Sequence, residues 1–309
     1  MNKKIILMIL LLALSGCTGF PAVDSIYCAN CRDSCSDEAV NLGPSPNISD
    51  TITIASFNIQ VFGQTKAGKP EVMNVLAHTI SRFDVVAIQE IRDKSGTAIE
   101  ELEAAVDALG VDYEYVIGKR LGRSSIKEQY AFMYRTDTIN VLETRDYRDW
   151  GDRFHREPFI GFFEAKNGNF DFVLINIHVD PDEATEEIHA LIDVYGDVGM
   201  SMMYEEKDIF ILGDLNADCN YFDEKTQKGE LGTSSFEWLI NDFDDTNLAK
   251  SECAYDRIII PGMTHSQDYA WRSGVYRFDE AHNLSYDEAK KVSDHYPVWA
   301  EFFINKDTD

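Results

Sequence analysis

Basic residues are scarce in this chain: 28 Lys and Arg stand against 54 Asp and Glu, a net charge of −26 over 309 residues. So acidic a field repels polyanions, which excludes generic, charge-driven nucleic-acid binding. It leaves room for a local basic groove, or for a site where cations bridge to phosphate. Long apolar runs are lacking too. The stretch Ile5 to Leu14 is too short to span a bilayer. Cysteine is sparse, at six residues. Cys28 and Cys31 form a C-x-x-C, with Cys35 close by, but no second pair with zinc-site spacing follows. In an oxidising compartment one disulfide and a spare thiol is the simpler reading of that cluster. Residues 51–309 contain no internal repeat and no low-complexity block and fit one large α/β domain rather than two.

Two lysines and then the Ile5 to Leu14 run have the form of an export signal. The sequence Leu14-Ser15-Gly16-Cys17 resembles the lipobox of bacterial lipoproteins. That resemblance implies cleavage before Cys17 and lipidation of Cys17. Residues 1–16 are then a signal peptide. Residues 17–50, with Gly43-Pro44-Ser45-Pro46, are a tether, and 51–309 are the folded domain. The expected location is the cell envelope or surface, anchored in a membrane through Cys17, or otherwise secreted.

Periodicity places the elements. Thr51 to Phe57 is β-branched and alternating, and reads as a strand; Glu71 to Arg82 carries a helical stripe at Val72, Val75, Leu76 and Ile80. Strands are expected at 84–88, 113–117, 129–134, near Ile209, at 257–260 and at 298–304. Helices are expected at 97–109 and 183–195. Residues 159–165 and 170–178 read as a hairpin about Asn167-Gly168. The pattern predicts a mixed α/β fold, with two mixed sheets packed face to face and helices outside.

The segment Asp208 to Tyr221, DIFILGDLNADCNY, is the richest in chemistry. A short apolar run ends in Gly213-Asp214-Leu215-Asn216. The acid and the amide, two residues apart, share a side if the strand persists. An ordinary turn would look the same on this segment alone. Polar residues recur, however, wherever a predicted strand begins or ends: Asn58, Glu90, Glu128, Arg156, His178, Asp214, Asn216, Asp256, Asp294 and His295. Their vocabulary is that of metal-assisted phosphodiester hydrolysis. Glu90, Asn58 and Asp294 offer hard oxygen ligands of the kind magnesium prefers. Two histidines allow a general base and a general acid, and Glu128 and Asp256 are available to orient them. Arg156 can grip phosphate with a planar fork.

These motifs resemble deoxyribonuclease I, within the endonuclease/exonuclease/phosphatase superfamily. ASFNIQVFGQTK, IQEIRD, GRSSIKEQYAFMYR, HREPF, INIHVDP, GDLNADCNY, CAYDRIII and SDHYPV carry the resemblance across nearly the whole domain. It implies a four-layer α/β sandwich and endonucleolytic cutting of DNA to 5′-phosphorylated ends. It implies the histidine–acid pairs His178–Glu128 and His295–Asp256, and Mg2+ (or Mn2+) at Glu90 with Asn58 and Asp294. Asp214 and Asn216 would position water and phosphate, and Arg156 would contact the scissile phosphate. Cys219 and Cys253 match the family's disulfide, and a monomer without a protein partner is the default. Asp245, Asn247 and Ser251 lie where the family has a structural Ca2+ loop. Asp152 and Glu157 partly match a second one, although solvated acidic loops read the same way.

Two departures bear on substrate. Gln60 stands where the family commonly has a DNA-reaching arginine, and Ile126 where it has a tyrosine in the minor groove. Both losses should weaken duplex binding. Arg120, Arg123 and Lys127 also lie near the expected cleft, but only Arg92 and Arg156 are expected to touch phosphate. Two other readings remain open: a different phosphoesterase of the superfamily (abasic-site, phospholipid or inositol phosphate), and a non-catalytic binding lipoprotein on the same fold.

Overall fold

The computed structural model describes residues 50–201 and 207–308. The expected signal and nearly all of the tether, with Cys17, Cys28, Cys31 and Cys35, lie outside them. In chain order the elements are β1 (Thr51–Phe62), α1 (Gln64–Ala67), α2 (Pro70–Ile80), β2 (Val85–Ile91), α3 (Thr97–Asp107), β3 (Tyr113–Ile117), β4 (Gln129–Arg135), β5 (Ile139–Asp146), β6 (Phe159–Ala165), β7 (Asp171–His178), α4 (Ala184–Ser201) and β8 (Ile209–Asp214). They continue with α5 (Glu224–Gln227), β9 (Phe236–Trp238), β10 (Asp256–Pro261), α6 (Gly262–Gln267), β11 (Tyr269–Val275), α7 (Phe278–Ala281), α8 (Tyr286–Val292) and β12 (Val298–Phe303).

The strands form two six-stranded sheets, ordered β11-β12-β1-β2-β4-β3 and β5-β6-β7-β8-β10-β9. The pairs β1–β2 and β7–β8 are parallel, and the other neighbours are antiparallel. The period of two along the central strands of the second sheet separates two apolar layers. Phe172, Leu174, Phe210, Leu212, Ile258 and Ile260 join the core shared with the first sheet. Val173, Ile175, Ile209, Ile211 and Ile259 turn the other way, onto Ile188, Leu191, Val194 and Val198 of α4. On the outer side of the first sheet, Val72, Leu76 and Ile80 of α2 and Ile99, Leu102 and Val106 of α3 belong to the first core. Helix, sheet, sheet and helix make the expected four layers.

Aromatic rings knit the two sheets together. Phe132 of β4 meets Phe159 and Phe163 of β6, at 5.3 and 5.2 Å between centroids, and Phe302 of β12 stacks on Phe170 and on Phe210 of β8 at 5.9 and 4.7 Å. A buried polar link crosses at the same level. Gln89 Nε2 of β2 donates to Asn176 Oδ1 of β7 at 2.7 Å, and Asn176 Nδ2 donates to the Ile88 and Ala131 carbonyls. Glu90 and His178 lie one and two residues beyond these partners, so the amide pair helps fix their separation.

The elements differ from expectation mainly at edges and ends. β5, β9 and β11, absent from the sequence reading, are edge or near-edge strands, and β11 is broken in register around Trp271, at φ +59°. β1 runs on to Phe62 through a bend in which Gln60 and Val61 adopt positive φ. α8 opens on a Ser285–Glu288 capping box.

Candidate active site

Topology explains why the polar residues converge. β1, β2, β7 and β8 carry Asn58, Glu90, His178 and Asp214 at or near their C-terminal ends. The antiparallel neighbours β4, β6, β10 and β12 begin at that same edge, where Glu128, Arg156, Asp256 and the pair Asp294-His295 precede or open them. In register, His178 lies opposite Asp214, and Asp214 opposite Asp256. The close approach of β7 and β8 needs a glycine just before Asp214. Gly213 has φ +150°, and a Cβ there would lie 1.8 Å from the Ile177 carbonyl oxygen.

Asp214 is the hub. Its Oδ2 lies 3.5 Å from His178 Nε2 and 3.5 Å from His295 Nε2, and accepts from Asn58 Nδ2 at 2.9 Å. Each imidazole is held from its far side by its own acid, His178 Nδ1 by Glu128 Oε2 at 3.0 Å and His295 Nδ1 by Asp256 Oδ2 at 2.8 Å. Both expected pairs are thus brought together. Burial opposes charge on His178, but the Glu128 hydrogen bond and Asp214 outweigh it and raise its pKa, with Arg156 pulling the other way. Burial likewise opposes charge on His295. There Asp256 and Asp214 win more decisively and hold the imidazolium well above the usual histidine range. Burial resists ionisation of Glu128 and Asp214 too. His178, Arg156 and Arg92 hold Glu128 down at about 2, and His295, His178 and the Asn58 hydrogen bond keep Asp214 below the usual carboxylate range.

Arginines close one side of the site. Arg92 Nη2 bridges Glu90 Oε2 and Glu128 Oε1, each at 2.8 Å. Arg156 donates from Nε to the His178 carbonyl at 3.1 Å, with Glu128 Oε2 at 3.7 Å. This use of Nε leaves the outer nitrogens of the fork for a ligand. Asn216 Nδ2 donates to the Val179 carbonyl, and its backbone N–H to Asp214 Oδ1.

On the other side, Glu90 sits at φ +64° and accepts from Val61 N at 2.8 Å and from Asn58 Nδ2 at 3.3 Å. Asp294 accepts from Gln60 Nε2 at 2.5 Å. Gln60 is therefore turned onto an acidic site residue rather than outward. Glu90 and Asp294 are hard oxygen donors of the kind a divalent cation takes, although both Glu90 oxygens already meet protein groups, Oε2 with Arg92 and Val61 N and Oε1 with Asn58 Nδ2. Asn58 takes a bridging position instead, with Oδ1 accepting from Gln60 N and Nδ2 spanning Glu90 and Asp214. Ligand atoms of Asp214, Asp256 and His295 also lie within 4.8 Å of one another.

Several supports carried no sequence signal strong enough to single out. Tyr130 clamps the His178 backbone, with its hydroxyl accepting from His178 N and donating to His178 O. Ser293 Oγ donates to the Asn58 carbonyl and accepts from His295 N. Lys66, buried and lowered to about 8 chiefly by desolvation, donates to the Ile59, Gln60 and Val292 carbonyls and so locks the bent end of β1 to the segment before Asp294.

The outer loops are more tied to one another than the sequence suggested. Arg120 is bound to the Asp93 and Lys127 carbonyls, Arg123 to Glu183 and Asp152, and Lys127 to the Gly122 carbonyl. Ile126 is exposed. Asp245 Oδ1 accepts from Asn247 N and Cys253 N, Asp245 Oδ2 faces Arg277, and Asn247 Oδ1 accepts from Ala249 N. Each of these oxygens thus already has a protein partner, and a second lone pair remains on Asp245 Oδ2 and Asn247 Oδ1. The same loop braces the site, through Leu248 N to the Asp294 carbonyl and Tyr296 N to the Thr246 carbonyl. Cys219 and Cys253 form a disulfide.

Two imidazoles that share one carboxylate, each backed by its own acid at one edge of a double-sheet sandwich, define an acid–base hydrolase. Residues 55–295 match the endonuclease/exonuclease/phosphatase family. The chain is 36% identical to deoxyribonuclease-1 of Bos taurus over 261 residues, covering 80% of this chain and 91% of that one. It is 37% identical to deoxyribonuclease gamma of Homo sapiens over 257 residues, covering 79% and 84%. Among solved structures, a mannosyl-6-phosphatase of Bacteroides thetaiotaomicron shares the fold, with TM-score 0.54 and 17% identity over 81% of this chain and 99% of that one. The chain belongs to the endonuclease/exonuclease/phosphatase superfamily, and within it to the deoxyribonuclease I family.

Proposed function

We propose that this protein is a metal-dependent endonuclease that hydrolyses DNA phosphodiester bonds to 5′-phosphorylated ends. The observation that carries this is Asp214 Oδ2 held 3.5 Å from both imidazoles, each backed by a buried acid. The substrate class is supported by the relatives, which are named deoxyribonucleases. His178, whose charge Arg156 opposes, is the better general base. His295, faced by Asp256, Asp214 and Asp294, keeps its proton and suits donation to the phosphate or the leaving oxygen. Arg156 and Arg92 receive the phosphate, and Asp214 and Asn216 align water and phosphate between the histidines. Glu90 and Asp294, with Asn58 beside them, would hold Mg2+ or Mn2+. Bound there, the cation would supply charge stabilisation to the pentacoordinate phosphate.

The reading extends to the rest of the chain. Cleavage before Cys17 and its lipidation would place the domain of residues 51–309 at the cell envelope or surface, on the tether 17–50, to degrade extracellular DNA. Ca2+ at Asp245 and Asn247 would be an added brace for the Asp294–Tyr296 segment.

Nicking of supercoiled plasmid tests the proposal. The native protein should nick in magnesium plus calcium, and EDTA should abolish it. His178→Ala should lower the rate by about 10²–10⁴-fold, the usual worth of a positioned acid–base group. If folded native protein leaves the plasmid intact, the substrate is a lipid or a small phosphoester instead.

A further inference from the structure

Helix α4 presents a buried stripe of Ala184, Glu187, Ile188, Leu191, Val194 and Val198 to the second sheet. Glu187 is the anomaly in it, a carboxylate at a core position with 0% exposure. Packing alone favours an apolar side chain there, because a buried charge costs free energy unless it is well paired. Burial accordingly pushes the Glu187 carboxyl up to about 7. What the carboxylate does in exchange is geometric. Oε1 accepts from His155 N at 2.7 Å and Oε2 from Asp180 N at 3.3 Å. His155 directly precedes Arg156, and Asp180 follows His178 by two residues. One buried side chain on a long helix therefore ties together two separate loops that carry active-site groups.

We propose that Glu187 is a positioning residue that sets the Arg156 fork in register with the His178–Glu128 pair. The direct link between those loops is the Arg156 Nε bond to the His178 carbonyl, which leaves the outer nitrogens of the fork to meet a phosphate. Their aim depends on where the His155–Arg156 backbone is held. A carboxylate can serve both N–H groups at once. A carboxamide can serve only one, because its NH2 faces the other N–H donor to donor. This proposal rests on the reading that Arg156 meets the substrate phosphate.

The test measures KM and kcat of the full chain at about pH 8, where Glu187 is ionised, on a duplex oligonucleotide for Glu187→Gln, Arg156→Ala and the double variant, with thermal unfolding followed alongside. Misplacing a binding fork should raise KM about tenfold while kcat stays within about threefold. In the Arg156→Ala background, Glu187→Gln should change KM by no more than about twofold, because there is no fork left to misplace. A tenfold rise in both backgrounds overturns the proposal, since Glu187 would then act through something other than Arg156. If Arg156→Ala itself leaves KM unchanged, the phosphate-contact reading falls, and this proposal falls with it for that separate and visible reason. Glu187→Asp serves should the Gln variant not fold. It keeps both acceptor oxygens but draws them back by one methylene, so it should raise KM in the Arg156 background only. Wild-type KM in every Glu187 variant that folds overturns the proposal as well.

Discussion

A carboxylate shared by two imidazoles makes Asp214 the residue on which the acid–base reading depends most. Asp214→Asn keeps the size, but it removes the negative charge that both histidines face at 3.5 Å and leaves an acceptor for only one of Asn58 Nδ2 and Asn216 N. Nicking should fall by about 10²–10⁴-fold. Nicking within about twofold of wild type would mean that the histidines work without a common partner and that the role given to Asp214 is wrong. Glu187 offers a different residue-scale check, read in stability rather than rate. Its carboxyl is raised from 4.5 to about 7 in the folded state. The folded protein therefore binds more protons than the unfolded chain between those values, and the contribution of Glu187 is fully present below pH 4.5 and lost as pH rises through 7. The full shift corresponds to about 3 kcal/mol. Glu187→Gln has no such titration. Its unfolding temperature relative to wild type should climb by several degrees from about pH 4.5 to about pH 8. A difference that stays constant over that range would show that Arg156 and the two N–H donors keep Glu187 ionised throughout.

Among the elements, what could be read from sequence follows burial. Strands β2, β7, β8 and β10 are apolar on both faces because both faces are covered, and their motif residues stand at their ends, so chemistry and structure were visible together. The pairs His178–Glu128 and His295–Asp256 were legible because the family motifs contain them. Tyr130 and Ser293 were not, since a tyrosine in an alternating strand and a serine before Asp294 are each commonplace. β5 and β11 escaped because edge strands carry half-polar patterns, and β9 because three residues show no period. Gln60 illustrates the limit most plainly. The sequence marked it as a lost DNA contact, and only the bend at Gln60 and Val61 reveals that it donates to Asp294. At this same scale the β7–β8 junction is the most exacting piece of backbone. Gly213→Ala would place a Cβ against the Ile177 carbonyl at a φ of +150°, at a cost of at least about 3 kcal/mol, and would push His178 away from Asp214. A lowered urea midpoint and lost nicking are expected together. A variant with the wild-type midpoint would show that the two strands separate at no cost.

For the whole molecule the question is how a chain of net charge −26 holds a polyanion. At ordinary salt the Debye length is about 10 Å, so DNA in the cleft feels nearby groups far more than the summed field. The nearby cations are few. Among the described residues, Arg120 and Lys127 are spent on the Asp93, Lys127 and Gly122 carbonyls and Arg123 on Glu183 and Asp152, while Arg92, paired to Glu90 and Glu128, and Arg156 stand at the site itself. Each phosphate neutralised contributes about −0.9 to the slope of log affinity against log salt. Two such contacts predict a slope of about −2, and the acidic remainder makes it shallower, because added salt also screens repulsion. The measurement is anisotropy of a labelled duplex with the slow-cutting His178→Ala variant in EDTA, between about 0.05 and 0.2 M salt. A slope steeper than about −4 would require cations beyond the two arginines to meet the backbone. The loop residues Arg123 and Lys127 would then have to break their bonds to Glu183, Asp152 and the Gly122 carbonyl on binding, and the acidic surface would be a weaker barrier than its charge implies.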